Sequence, residues 1–146
     1  MENLIDKQLE MIEAFENLKQ CVNLFDNQAE RYKTFLTFNA LTLILMSEHP
    51  DKYTYKEINE MKMKIESYIS SFEILRKKID KKIREMTDEK KKKYLLKYSV
   101  LCWELTQRMY PMVSKLWKAK DEVFEKTIEE ARIKHKDDAY IIIDIN

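Results

Sequence analysis

The stretch FLTFNALTLILM, Phe35 to Met46, decides the fold, because as a helix it is apolar on every side in a chain of which 36% is charged. A helix apolar all round has to be covered. Twelve residues are too few to cross a bilayer, where about 20 are needed, so the expected cover is protein and no membrane role is expected. The start, Met1-Glu-Asn-Leu-Ile-Asp, lacks the basic and apolar runs of a signal peptide, and a cytoplasmic chain is expected.

Outward from this block the apolar residues repeat at sevens. Leu4, Met11, Leu18, Phe25, Tyr32 and Met46 form one series, interrupted by Asn39, and Phe15, Val22, Ala29, Leu36 and Leu43 form its partner. The spacing predicts a helix over about 3–47. Glu48-His-Pro-Asp-Lys-Tyr ends it, and Thr54-Tyr-Lys-Glu57 has capping-box spacing that opens a second helix over about 55–85. Ile58, Ile65, Phe72, Ile79 and Met86 continue at sevens there, with Met61, Tyr68 and Leu75 between them. Thr87 to Lys93, TDEKKKK, reads as a short hairpin with Thr87 as the cap. A third helix is predicted over about 88–134, with Leu95, Cys102, Met109, Leu116 and Val123 on one series and Tyr98, Leu105, Met112 and Ala119 on the other. It should be bent or broken near Pro111, since proline removes a backbone donor and crowds the preceding turn.

At 1.5 Å rise per residue, the first and third helices would be on the order of 65 to 70 Å and the second about 45 to 50 Å. Either the long helices overhang or one folds back as a fourth, at Pro111 or, second, at Asn23-Leu-Phe-Asp-Asn27. The expected fold is all-α: a single antiparallel bundle of three long or four helices over 1–138, with a short extended tail over 139–146. Zero glycines and two prolines argue against β-rich or doubly wound folds. Cys21 and Cys102 lie inside apolar helical patterns and read as small core residues.

No enzyme signature is found and no cofactor is expected. His49 and His135 are the only histidines and have no partner at metal-ligand spacing. The Glu-x-x-His pattern of di-iron bundles is missing, and without glycine there is no phosphate loop or dinucleotide fingerprint. Asn39, Thr37 and Thr42, the polar residues of the apolar block, read as a register-setting contact or helix back-bonding.

Two surfaces remain as binding candidates. Trp103, Tyr110, Trp117 and Phe124 make a second stripe at sevens beside the Cys102 series. Such a wide face is that of a helix inside a four-helix core, or else an interface edge whose aromatic anchors bury much area and keep polar tips. From Arg76 to Lys93, ten basic residues stand against four acidic ones, net +6; the candidates of this basic tip are Lys77, Lys78, Lys81, Lys82, Arg84, Lys90, Lys91, Lys92 and Lys93. It suits phosphates or acidic surfaces, but it lacks interleaved aromatics for base stacking, and acidic Glu2, Asp6, Glu10, Glu13 and Glu16 should lie near the same end. The chain then ends in AYIIIDIN, Ala139 to Asn146, a β-branched run without helical period. It should lie along its own bundle or add as a strand to another chain, with Tyr140 and Ile142 as contact candidates.

The uninterrupted heptads, the lack of glycine and the small size resemble the helical-bundle proteins of viruses that infect hyperthermophilic archaea, among them virion proteins and an inhibitor of host RNA polymerase. The resemblance implies a thermostable viral protein working in the host cytoplasm or the virion; it transfers no functional residue. The function expected is a non-enzymatic interaction module with a protein partner, acting by docking or occlusion. Nucleic-acid binding through the basic tip and self-assembly as a homo-oligomeric structural subunit are the alternatives.

Overall fold

The structure, a computed structural model, describes residues 2–135. Three helices follow one another, α1 Glu2–Glu48, α2 Tyr55–Glu85 and α3 Glu89–Lys134, with one 3-10 turn, Pro50–Lys52, between the first two. The tail expected over Ala139 to Asn146, with Tyr140 and Ile142, lies outside the described residues.

Local chemistry sets the helix ends. After α1 the His49 N–H still donates to the Leu45 carbonyl (2.7 Å), and Pro50 then opens the 3-10 turn, its missing N–H costing nothing at a first position. Thr54 and Glu57 form a complete capping box: the Glu57 N–H donates to Thr54 Oγ1 (3.1 Å) and the Thr54 N–H to Glu57 Oε1 (3.0 Å). The Thr54 N–H, and with it the Thr54 hydroxyl donating to the same Glu57 Oε1 (3.0 Å), hold the Glu57 carboxyl below its ordinary pKa. At the second turn the cap is Asp88, not Thr87, with Asp88 Oδ1 accepting from the N–H groups of Lys90 (3.0 Å) and Lys91 (3.3 Å). Lys90 to Lys93 are therefore helical rather than part of a hairpin loop. An ionised cap at a positive helix end outcompetes a hydroxyl one residue earlier.

The α3 helix runs through Pro111 without a break, so the described residues form three α-helices and not four. Pro111 sits on the exposed side, and the carbonyl it leaves without a donor, that of Gln107, belongs to an exposed residue where water can serve it. Short connections make α1, α2 and α3 antiparallel in sequence, and α1 and α3 run in the same direction: Phe25 meets Tyr98 (centroids 5.2 Å) and, further along, the Tyr32 hydroxyl meets Met112 Sδ (3.7 Å).

The core is one column. Ile58, Ile65, Phe72 and Ile79 of α2 and Leu95, Cys102, Met109 and Leu116 of α3 are fully buried, and α1 adds Cys21, Phe25, Tyr32, Phe35, Leu43 and Met46. Rings lock its middle, with Phe25 edge-on to Phe72 (6.2 Å) and Tyr68 against both Tyr32 and Phe35 (5.3 Å each). Both cysteines are free and buried. Burial pushes the Cys102 thiol up to about 12.

The length mismatch is resolved by overhang, at opposite ends. Lys7, Glu10 and Met11 stand level with the Glu85–Asp88 turn, so the start of α1 extends past the α2–α3 connection. Leu4 and Met11, which their heptad series placed in the core, are exposed as a result. At the other end Phe124 pairs with Tyr55 (5.8 Å), and α3 beyond it runs on past the start of α2.

Half of FLTFNALTLILM is covered. Phe35, Leu43 and Met46 are buried and Leu36 partly so, whereas Phe38, Leu41 and Ile44 are 81%, 69% and 53% exposed. Asn39 and Thr37 bond back along α1, to the Phe35 (2.9 Å) and Lys33 (2.8 Å) carbonyls.

Candidate docking surface

The α2–α3 pair is the closest-packed in the molecule. On α3 the positions four after the buried series are Ser99, Thr106, Val113 and Lys120, all buried. Small side chains there bring the helices together: Ser99 Oγ donates to Asp80 Oδ1 (2.6 Å), and Thr106 Oγ1 bonds back to the Trp103 carbonyl (2.8 Å). Asp80 with Ser99, Lys62 with Trp117 and Tyr55 with Phe124 are facing pairs whose residue numbers have the same sum, which is a constant antiparallel register.

That register lays the aromatic stripe along the α2–α3 seam. The face that packs on α1 is the one bearing Tyr98 and Met112, so the stripe lies on the far side of the α2–α3 layer. Trp103, Tyr110, Trp117 and Phe124 are each about half exposed, neither core nor free. Three of them are steadied from α2: the Tyr110 hydroxyl donates to Glu73, Lys62 reaches Trp117, and Tyr55 packs at a tilt against Phe124. The Glu73 contact, with a little burial, raises the Tyr110 phenol above its ordinary pKa.

The chemistry of the seam concentrates at Trp117. Lys120 Nζ lies 3.6 Å from its ring centroid and Lys62 Nζ 4.4 Å, and Lys120 also approaches Tyr55 (5.6 Å). Cations over an indole face are attracted by its quadrupole. The two lysines are only 6% and 7% exposed, Lys62 and Lys120 respectively, which is rare for this residue type. Lys62 has a carboxylate, Glu66 Oε1 at 2.6 Å. Among the described residues Lys120 has neither an ion-pair partner nor a hydrogen-bond acceptor. Two ammonium groups thus converge on one indole, and the carboxylate of Glu66 is bound to Lys62. The heptads do not reveal this: a lysine four residues after Ile58 or Leu116 reads as the solvated border of a stripe, and only the interhelical register shows that two such borders meet.

The basic tip has a different character. Lys77, Lys78, Lys81, Arg84, Lys90 and Lys93 are exposed, Lys82, Lys91 and Lys92 partly so, and they share grooves with acidic groups: Glu10, Glu13 and Glu85 beside Lys82, and Glu10, Glu85 and Asp88 beside Lys91. Lys92 pairs with Glu89 (3.6 Å). Acidic groups are thus interleaved with the lysines of the tip, which keeps an excess of positive charge. A third surface is an apolar groove of about 490 Å³ between α1 and α3, with Leu36, Ala40, Leu43, Leu116 and Ala119 in its walls and the exposed Ile44 on its rim. Among the described residues no group of His, Cys, Asp and Glu is arranged to hold a metal ion, and no helix is long and apolar enough to cross a membrane.

No family model matches the chain, and neither a curated protein nor a solved structure is similar to it. Fold and seam define it as a three-helix antiparallel bundle with one aromatic, lysine-lined face.

Proposed function

We propose that the protein is a non-enzymatic interaction module that docks a protein partner on the α2–α3 seam and acts by occlusion or scaffolding. One observation supports this most: four aromatic side chains at seven-residue spacing are held half exposed on a rigid helix pair, with two buried lysines at their centre. Preformed aromatic anchors lose little conformational freedom on binding, and they dominate interface energetics. The partner that fits is an apolar segment bearing a carboxylate. An inhibitor that occludes a host machine, of the kind the sequence resembles, would work in this way. The test is capture from a host lysate with the full-length protein, with Trp117→Ala and Trp103→Ala as comparators of verified helicity. Partners retained by the wild type and lost by both variants support seam docking; equal retention refutes it.

Self-assembly is a second reading, favoured by the 81% exposure of Phe38 on the α1–α2 side, where it shares a groove with Lys64 and Tyr68. It requires a sedimentation mass that rises with concentration and falls back in Phe38→Glu. The mixed charge of the tip speaks against nucleic acid, and absence of DNA or RNA binding at low salt removes that alternative.

A further inference from the structure

We infer that the protein pairs with a second copy of itself through the start of α1: the two helix starts pack antiparallel about a two-fold axis at Gln8, and both lie between the two basic tips.

Missing cover is the first argument. The facing pairs Phe25–Phe72, Tyr32–Tyr68 and Phe35–Tyr68 fix the register of α1 on α2, and carried on to Met86 that register ends at about position 14 of α1. The residues before it run past the turn with no helix of their own chain beside them. Leu4, Ile5, Leu9, Met11 and Ile12 lie there, 53% to 64% exposed. Together they present on the order of 500 Å² of surface, the size of patch that marks an interaction site. A helical extension of this length is held by packing rather than by propensity.

Symmetry is the second. Leu4 and Ile5 stand four and three positions before Gln8, Met11 and Ile12 three and four after it, and at this spacing all five share one face. The stripe is the same read backwards, so an antiparallel copy meets it in kind: Leu4 of one chain packs on Met11 of the other, and Ile5 on Ile12. Gln8, exposed in the single chain, falls on the axis, where two carboxamides, each both donor and acceptor, bond to one another. A polar pair at the centre of an apolar interface fixes register and orientation.

Charge is the third, and it selects the direction. Over residues 3–13 Asp6, Glu10 and Glu13 stand against Lys7, net −2, while the tip over 76–93 carries net +6. Among the described residues no cation pairs with Asp6, Glu10 or Glu13, and of the tip lysines only Lys92 holds a carboxylate, so the attraction is not spent within one chain. A parallel pair would set tip beside tip. The antiparallel pair separates the tips and places both acidic helix starts between them. The other apolar surface open to a second copy, the α1–α3 groove, has Lys115 and Lys118 balanced by Glu48 and Glu122 and offers no such complement. Two facing helix starts, with the tips, approach the roughly 1,000 Å² that a specific interface requires. The seam, on the far side of the α2–α3 layer from α1, stays open, so the pair carries two seams; the pairing itself does not depend on what docks there.

The experiment follows the sedimentation mass of the full-length protein with concentration, and disulfide formation under mild oxidation in Gln8→Cys and in Leu4→Cys, the native Cys21 and Cys102 being buried. Expected is a mass that rises from 17.8 kDa toward twice that value, and that stays at the lower value when Ile5→Glu and Ile12→Glu are combined. Oxidation should give a covalent dimer in Gln8→Cys and not in Leu4→Cys, since the two Leu4 positions lie at opposite ends of an antiparallel interface. Should the double variant fail to fold, the cysteine variants decide alone. A mass of 17.8 kDa at every concentration overturns the proposal. So does a dimer that survives the double variant, and its loss in Phe38→Glu instead would place the interface on the α1–α2 side. Cross-linking in Leu4→Cys equal to that in Gln8→Cys also overturns it, because it marks a parallel pair or chance collision. A failure of lysate capture bears on seam docking and leaves these results intact.

Discussion

Single residues show how far neighbours on one helix diverge in environment. Leu43 is buried in the core while Phe38, five residues earlier, is 81% exposed. Leu43→Ala should therefore cost about 2 to 5 kcal/mol in chemical denaturation, and Phe38→Ala should stay within about 0.5 kcal/mol. The heptads placed both in one apolar block; what separates them is which side of α1 meets the α2–α3 pair. Cys102 gives a second contrast. Its thiol is fully buried and pushed up to about 12, so thiolate is negligible at neutral pH. Labelling of Cys102 by a thiol reagent at pH 8 should be slow in the native protein and complete in denaturant; fast native labelling would mean that the α3 face is open.

At the scale of elements, the helix boundaries were legible because they rest on local chemistry. The Thr54–Glu57 box needs only its own four residues, and α2 begins and ends at 55 and 85 as its pattern predicts. Thr54→Ala should lower stability by about 1 kcal/mol. The linked pH effect has a definite sign: Glu57 has a lowered pKa in the folded state, so its contribution is full above the unfolded value and fades as pH falls through the folded one. Glu57→Gln should flatten that acid limb of a stability profile. Pro111 shows where local reasoning stops, since it allows a bend or a break and packing on both sides keeps α3 one helix, Met109 and Val113 being buried. Because α3 remains helical there, Pro111→Ala should stabilise the protein, by up to about 3 kcal/mol; a loss of stability would show that the helix depends on the proline.

The whole molecule is a layer of two close helices with α1 on one face and an aromatic, lysine-centred seam on the other. The aromatic half of that seam was readable as a seven-residue stripe on α3. The lysine half was not, because Lys62 and Lys120 lie on different helices and acquire meaning only once the register brings both to Trp117. For the same reason the exposed start of α1 escaped the heptads, which specify a face but not how far a neighbour extends along it. The central claim is that this seam is the working surface. Its most direct test is the affinity of the captured partner for the wild type, Trp117→Ala and Phe38→Ala at matched helicity. The account predicts a loss of about 2 kcal/mol or more, roughly 30-fold, for Trp117→Ala and none for Phe38→Ala; unchanged affinity in Trp117→Ala with a loss in Phe38→Ala would contradict it and move the working surface to α1.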